Sequence, residues 1–180
     1  SEMCIRDRCL FGGCSKLNRK KWYLIINDCM NILYIGKFFP QNMLRTINED
    51  SKGLMGMSNH NFEMSLLNGL CQQENINLKC ITCPGVFSYP QYNKKMFTEP
   101  ESYAYKNTYV ESVGFCNLVG VKEGSAKRAT ASNILEAIEE FEGDTIHIII
   151  NTPDIRLLDA IKAAKRKTAK KITQTVVIPD

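Results

Sequence analysis

From residue 30 onward, apolar positions come in short unbroken runs separated by stretches of helical period. Asn31 to Gly36, NILYIG, reads as a buried strand that ends at a glycine. Gly53 to Ser58, GLMGMS, reads as a glycine-containing loop, and Asn59 to Cys71 as a helix with Phe62, Leu66, Leu67 and Leu70 on one side. Leu78 to Cys83 is the predicted second strand, stopped by Pro84-Gly85. Phe87 to Asn107 is polar and aromatic, contains Pro90 and Pro100, and shows no period, which predicts a long functional loop. A third strand is predicted within Val110 to Val121. Ser125 to Phe141 predicts a helix buried through Ile134, Leu135, Ile138 and Phe141. Thr145 to Ile150, Asp154 to Ala169 and Thr175 to Ile178 then predict a strand, a helix and a fifth strand before Pro179-Asp180.

Unbroken apolar strands alternating with helices predict a parallel sheet buried on both faces. The expected class is α/β: a Rossmann-like doubly wound parallel sheet with helices on both faces. Such a sheet normally covers its last strand with a helix, so the domain over residues 30–180 reads as truncated at its carboxyl-terminal end. Residues 1–29 carry neither period and read as a non-native or disordered leader.

Charge changes the picture once it is divided. The chain is formally +4, with Arg6, Arg8, Lys16, Arg19, Lys20 and Lys21 against Glu2, Asp7 and Asp28 in the leader. The basic excess therefore sits mainly in residues 1–29, and the rest is near balance, which argues against a nucleic-acid partner. No apolar run approaches the ~18 residues of a membrane span. WYLII, at Trp22 to Ile26, is too short for a signal-peptide core. The expected location is the cytoplasm, with reduced thiols. Four of the eight cysteines, Cys4, Cys9, Cys14 and Cys29, are in the leader.

In parallel sheets ligands bind beyond the carboxyl ends of the strands. The segment from Lys37 to His60 qualifies, because Gly53 and Gly56 permit close backbone approach and precede a helix start with Ser58 and Asn59 as caps. A plain loop with a capped helix accounts for the same residues. His60 reads either as a donor to a hydroxyl or phosphate, or as a solvent-facing polar residue. Asn151-Thr152-Pro153-Asp154 follows the fourth strand, as a catalytic cluster or as a Thr/Asp cap with proline in the first turn. His147, inside that strand, reads as a buried core histidine. Asp180 ends the fifth strand and would line the same cleft. Cys80 and Cys83 form a CxxC across a strand, where the two side chains take opposite faces, and neither a second pair nor a histidine cluster completes a metal site. Cys71 and Cys116 read as small core residues. The run Lys162, Lys165, Arg166, Lys167, Lys170 and Lys171 reads as a solvated helix face, or as a peripheral membrane contact.

Two resemblances extend this reading. SEMCIRDR, Ser1 to Arg8, resembles the translation of a sequencing-adapter fragment that recurs at the ends of gene models assembled from reads. With it set aside, the natural protein is expected to begin at Met30. From there the chain resembles the amino-terminal domain of family-4-like glycosyltransferases of the GT-B architecture. The residues that carry this are NILYIGKFFPQNM (Asn31 to Met43), KGLMGMSNHNFEMSLLNGL (Lys52 to Leu70), FSYPQY (Phe87 to Tyr92), IIINTPDIRLLDAI (Ile148 to Ile161) and VVIPD (Val176 to Asp180). The resemblance implies one half of a two-domain, retaining, metal-independent enzyme. This half would hold a glycan or lipid-linked acceptor. The missing carboxyl-terminal domain would hold the sugar nucleotide, which is the donor substrate, and no cofactor is implied.

On the family pattern Gly53 and Gly56 match the loop near the donor diphosphate, and His60 and Asn61 the helix start beside it. Tyr89 and Thr152 fall in matching segments on the substrate side. With Pro153 as anchor, Asn151 stands where many relatives carry a histidine near the reacting sugar, and anchoring on His147 matches a different histidine. A single half is expected to be inactive alone. Two other readings remain from the residues: a stand-alone, non-enzymatic binding module, and a metal or redox protein that uses the cysteines.

Overall fold

The computed structural model of the chain describes residues 29–50, 57–90, 93–151 and 154–178. The elements in chain order are β1 (Met30–Gly36), α1 (Gln41–Asp50), α2 (Met57–Leu70), β2 (Ile76–Thr82), β3 (Phe97–Thr98), β4 (Glu101–Tyr105), β5 (Thr108–Ser112), β6 (Phe115–Cys116), α3 (Lys122–Glu140), β7 (Thr145–Asn151), α4 (Ile155–Lys165) and β8 (Lys171–Val177). Six strands form one mostly parallel sheet in the order β4-β5-β2-β1-β7-β8. Only β4 runs antiparallel, against β5. β3 and β6 make a separate two-stranded antiparallel pair.

The central strands are apolar throughout because both faces are buried. Alternation sends Leu33 and Ile35 of β1, with Ile146, Ile148 and Ile150 of β7, toward Ile134 and Ile138 of α3 and Leu157 and Ile161 of α4. It sends Ile32 and Tyr34 of β1, with Leu78 and Cys80 of β2, to the opposite face, against Leu67 of α2 and the Phe38 ring. Each fully buried Leu or Ile side chain contributes roughly 1.5–3 kcal/mol. The result is a sheet with helices packed on it and every parallel strand pointing its carboxyl end to the same side.

Several elements depart from the sequence reading. The stretch between β1 and α2 contains α1, whose only apolar residues, Met43, Leu44 and Ile47, are too few to declare a helical stripe; Pro40 stands just before it, a position compatible with a helix start. The predicted loop Phe87 to Asn107 contains β3 and β4. β4 is an edge strand of alternating, part-exposed residues, ESYAY, so it lacks the apolar run used to recognise the others. It makes the sheet mixed rather than all parallel. The turn to β5 uses Lys106 at φ 53°, a left-handed conformation. β8 begins at Lys171, earlier than expected, because an edge strand tolerates the polar residues Lys171, Thr173 and Gln174. The buried face of α2 runs through His60, Glu63 and Leu67, and Phe62 points outward, 39% exposed. Among the described residues no helix is long and apolar enough to cross a membrane.

Candidate functional site

Beyond the carboxyl ends of β1 and β7 lies a continuous polar layer, and Glu63 is its hub. Glu63 is 0% exposed, in the second turn of α2, next to the end of β1. Its Oε2 accepts from the backbone N–H groups of Lys37 at 2.7 Å and Phe38 at 3.2 Å. Its Oε1 accepts from Asn59 Nδ2 at 2.6 Å, one helical turn earlier. Asn59 Oδ1 in turn accepts from Asn151 Nδ2 at 3.2 Å, which ties α2 to the end of β7. Gly36 makes this possible: a Cβ there would overlap Glu63 Oε2 and lie 2.9 Å from Phe38 Cδ1. Burial pushes the Glu63 carboxyl up, and the donors from Lys37, Asn151, Asn59 and Phe38 offset only part of it. His60, also buried, accepts from Phe39 N–H at Nδ1 (3.2 Å) and stacks on the Phe39 ring. Burial lowers its pKa, which favours the neutral ring with the proton on Nε2.

Lys37 joins this hub to a second cluster. Its ammonium pairs with Asp154, which is only 8% exposed and caps α4 by accepting from Arg156 N–H at 2.8 Å. The Arg156 guanidinium also grips Asp154, with Nη2 at 2.7 Å from Oδ2, and reaches Glu123 Oε2 at 3.1 Å from Nε. Burial would raise the Asp154 carboxyl, but the bonds from Arg156 and Lys37 hold it well below the usual carboxylate range. Lys122, at the start of α3, donates from its ammonium to the Val86 carbonyl. Burial and the neighbouring Arg156 press its pKa down. These side chains, with Gly85, Val86, Phe87 and Ile155, line an open cleft of about 690 Å³. A smaller cavity of about 210 Å³ shares Val86 with it and lies between α1 and β3, lined by Met43, Ile47, Asn93, Phe97 and Asn117 among others.

Of the residues singled out from sequence, Asn59, His60 and Asn151 meet in the polar layer. Asn151 is fully buried, and its Oδ1 has no hydrogen-bond partner among the described residues. Ser58 and Asn61 are exposed on α2 outside that layer. Tyr89 is part-buried, its N–H bonded to the Asn117 carbonyl at 2.9 Å, on the side of the smaller cavity. Gly53, Gly56, Thr152 and Asp180 lie outside the described residues, as does the leader through Asp28.

His147 is not the buried core histidine expected. The alternation that buries Ile146, Ile148 and Ile150 turns it to the other face, where it is part-buried and bridges Thr173 Oγ1 (2.6 Å) and Thr175 Oγ1 (3.0 Å) of β8. It therefore lies mid-strand, away from the layer that holds Asn151. Cys80 and Cys83 belong to the clusters on opposite faces of the sheet, and burial raises both thiols. Among the described residues no three His, Cys, Asp or Glu side chains converge as metal ligands would. The basic run is divided. Lys162, Lys165, Arg166 and Lys167 are exposed, whereas Lys170 turns inward and donates to the Ile138, Glu139 and Phe141 carbonyls at the carboxyl end of α3.

Glu63, Lys37, Lys122 and Arg156 carry the layer and were not singled out from sequence. Lys37 had a signal, since it directly follows the glycine that ends the first strand. Glu63 and Arg156 look like ordinary helix-surface charges until the sheet is placed. Comparison of the chain with family profiles, with curated proteins and with solved structures found no match.

Proposed function

We propose that the chain is the acceptor-side half of a retaining, sugar-nucleotide-dependent glycosyltransferase, a Rossmann-like doubly wound domain of the GT-B architecture. The observation that carries this reading is the polar layer beyond the carboxyl ends of β1 and β7, in which Glu63 holds Asn59, Asn59 holds Asn151, and His60 is buried at the next position of α2. Parallel sheets bind ligands at that end, which supports a substrate site there. In this reading Asn151, fully buried, is a positioning residue that supports the sugar-binding surface from below by holding Asn59. The glycine loop at Gly53 and Gly56 approaches the leaving diphosphate, whose developing charge backbone N–H groups would stabilise. The acceptor is a glycan or a lipid-linked saccharide. The exposed cations Lys162, Lys165, Arg166 and Lys167 would supply peripheral contact with an anionic membrane surface. The donor-binding domain would follow in the natural reading frame.

Sequencing the source DNA across the codon for Asp180 tests this. The reading predicts that the frame continues into about another domain's length of α/β sequence. A stop codon at that point defeats it and favours a stand-alone binding module.

A further inference from the structure

The cleft between the amino-terminal ends of α3 and α4 is over-supplied with positive charge. Lys37, Lys122 and Arg156 face it, against only Asp154 and Glu123. Asp154 already accepts from the Lys37 ammonium, the Arg156 guanidinium and the Arg156 N–H. Glu123 is 63% exposed and pairs only with Arg156 among the described residues. Lys122 is part-buried, has no carboxylate within ion-pair distance among the described residues, and uses one of its three donors on the Val86 carbonyl. Its two remaining donors face the open cleft and can take a further acceptor there. Both helices also aim their positive ends here, and α3 has no side-chain cap at its start. Phe87, 44% exposed, and Ile155 line the mouth and offer apolar surface to whatever carries the anion.

We propose that this cleft binds the phosphate group of a phosphate ester, with Lys122 as its principal ligand and Lys37 and Arg156 completing the cradle. Lysine serves as a point charge with rotating donors, and arginine supplies a planar fork, so the set suits a tetrahedral oxyanion. The inference stands on the geometry of the cleft and holds whether or not the chain is half of a glycosyltransferase.

The test is an amide NMR titration of the 180-residue chain with inorganic phosphate and with glucose 1-phosphate. Saturable shifts are expected at Lys122, Glu123, Gly124 and Arg156. Lys122→Gln keeps a donor for the Val86 carbonyl and removes the charge; it weakens binding by about tenfold or more, the loss of one charge-assisted bond. Lys122→Arg restores most of the affinity. Glu123→Gln, at an exposed position, tightens binding. Vesicles of phosphatidylcholine containing phosphatidic acid separate the sources. A response to the soluble ester assigns a free metabolite, and a response at the same amides to vesicles alone assigns a lipid headgroup. No saturable shift with any probe, or affinity unchanged by Lys122→Gln, overturns the proposal.

Discussion

Replacing Glu63 with glutamine isolates the energetics of the polar layer. The side chain keeps its shape and loses its charge. With its oxygen toward the backbone, the substituted amide still accepts from the N–H groups of Lys37 and Phe38, but its nitrogen then faces the Asn59 donor that now lies 2.6 Å from Oε1. One charge-assisted bond is lost, about 1.5–3 kcal/mol, and the two that remain weaken. Relief from burying a carboxylate with no cation beside it works in the opposite direction. The expected net loss at pH 8 is about 2 kcal/mol, read from urea unfolding. The pH dependence is the sharper readout. Burial raises the folded-state pKa of Glu63 above its unfolded value. The native state therefore holds a proton that the unfolded state has released. Stability from this group is fully present below the unfolded pKa and is lost as pH rises through the folded one, about 1.4 kcal/mol for each unit between them. Wild type carries that slope and Glu63→Gln does not, so the gap between them narrows as pH rises from about 4.5 to 8. A gap that stays constant, or widens with pH, refutes the reasoning: the donors would then stabilise the carboxylate more than burial opposes it.

Other consequences concern the same layer and its supports. Gly36→Ala drives a methyl into Glu63 Oε2 and Phe38, and should cost about 3 kcal/mol or prevent folding, measured by thermal unfolding. Asp154→Asn breaks a nearly buried carboxylate from both cations and should cost about 3 kcal/mol at neutral pH. Because the Asp154 pKa is depressed on folding, its stabilisation exists above the unfolded value near 3.8 and fades as pH falls below it, so melting curves of the two proteins should converge in acid. Lys170→Ala strips three carbonyls at the end of α3 of their shared donor, for a loss of about 1–2 kcal/mol and faster amide exchange in that last turn.

The strands were legible because the fold buries them on two faces. NILYIG and TIHIII satisfy both sides of a sheet because, past Asn31 and Thr145 at their starts, every position but His147 is apolar or small. The same rule failed at the edges. ESYAY in β4 and KITQ in β8 are half-solvated, so their composition resembles a loop. Asn59 and Asn151 could be placed at the strand ends from the order of elements alone. Their joint attachment through Glu63 could not, because it depends on α2 presenting its second turn to Gly36. Asp154 was legible as a cap and not as an ion-pair centre. Arg156 is a local partner two residues on, but Lys37 comes from a separate segment, and the parallel pairing of β1 with β7 brings the two strand ends together. Lys170 shows the reverse case: sequence assigns it to a surface run, and the chain reversal after α4 points it back at α3.

The most direct test of the account is turnover by the natural reading frame that contains this chain. Expressed whole and given nucleotide sugars with glycan and lipid-linked acceptors, it should release nucleoside diphosphate only when acceptor is present. Asn151→Ala should cut that rate by about 100-fold, as misplacement of the groups that orient a reacting sugar does. An unaltered far-ultraviolet spectrum would confirm that the variant still folds. No turnover with any donor, or turnover indifferent to Asn151, would contradict the claim that the layer beyond β1 and β7 is the working surface of a glycosyltransferase.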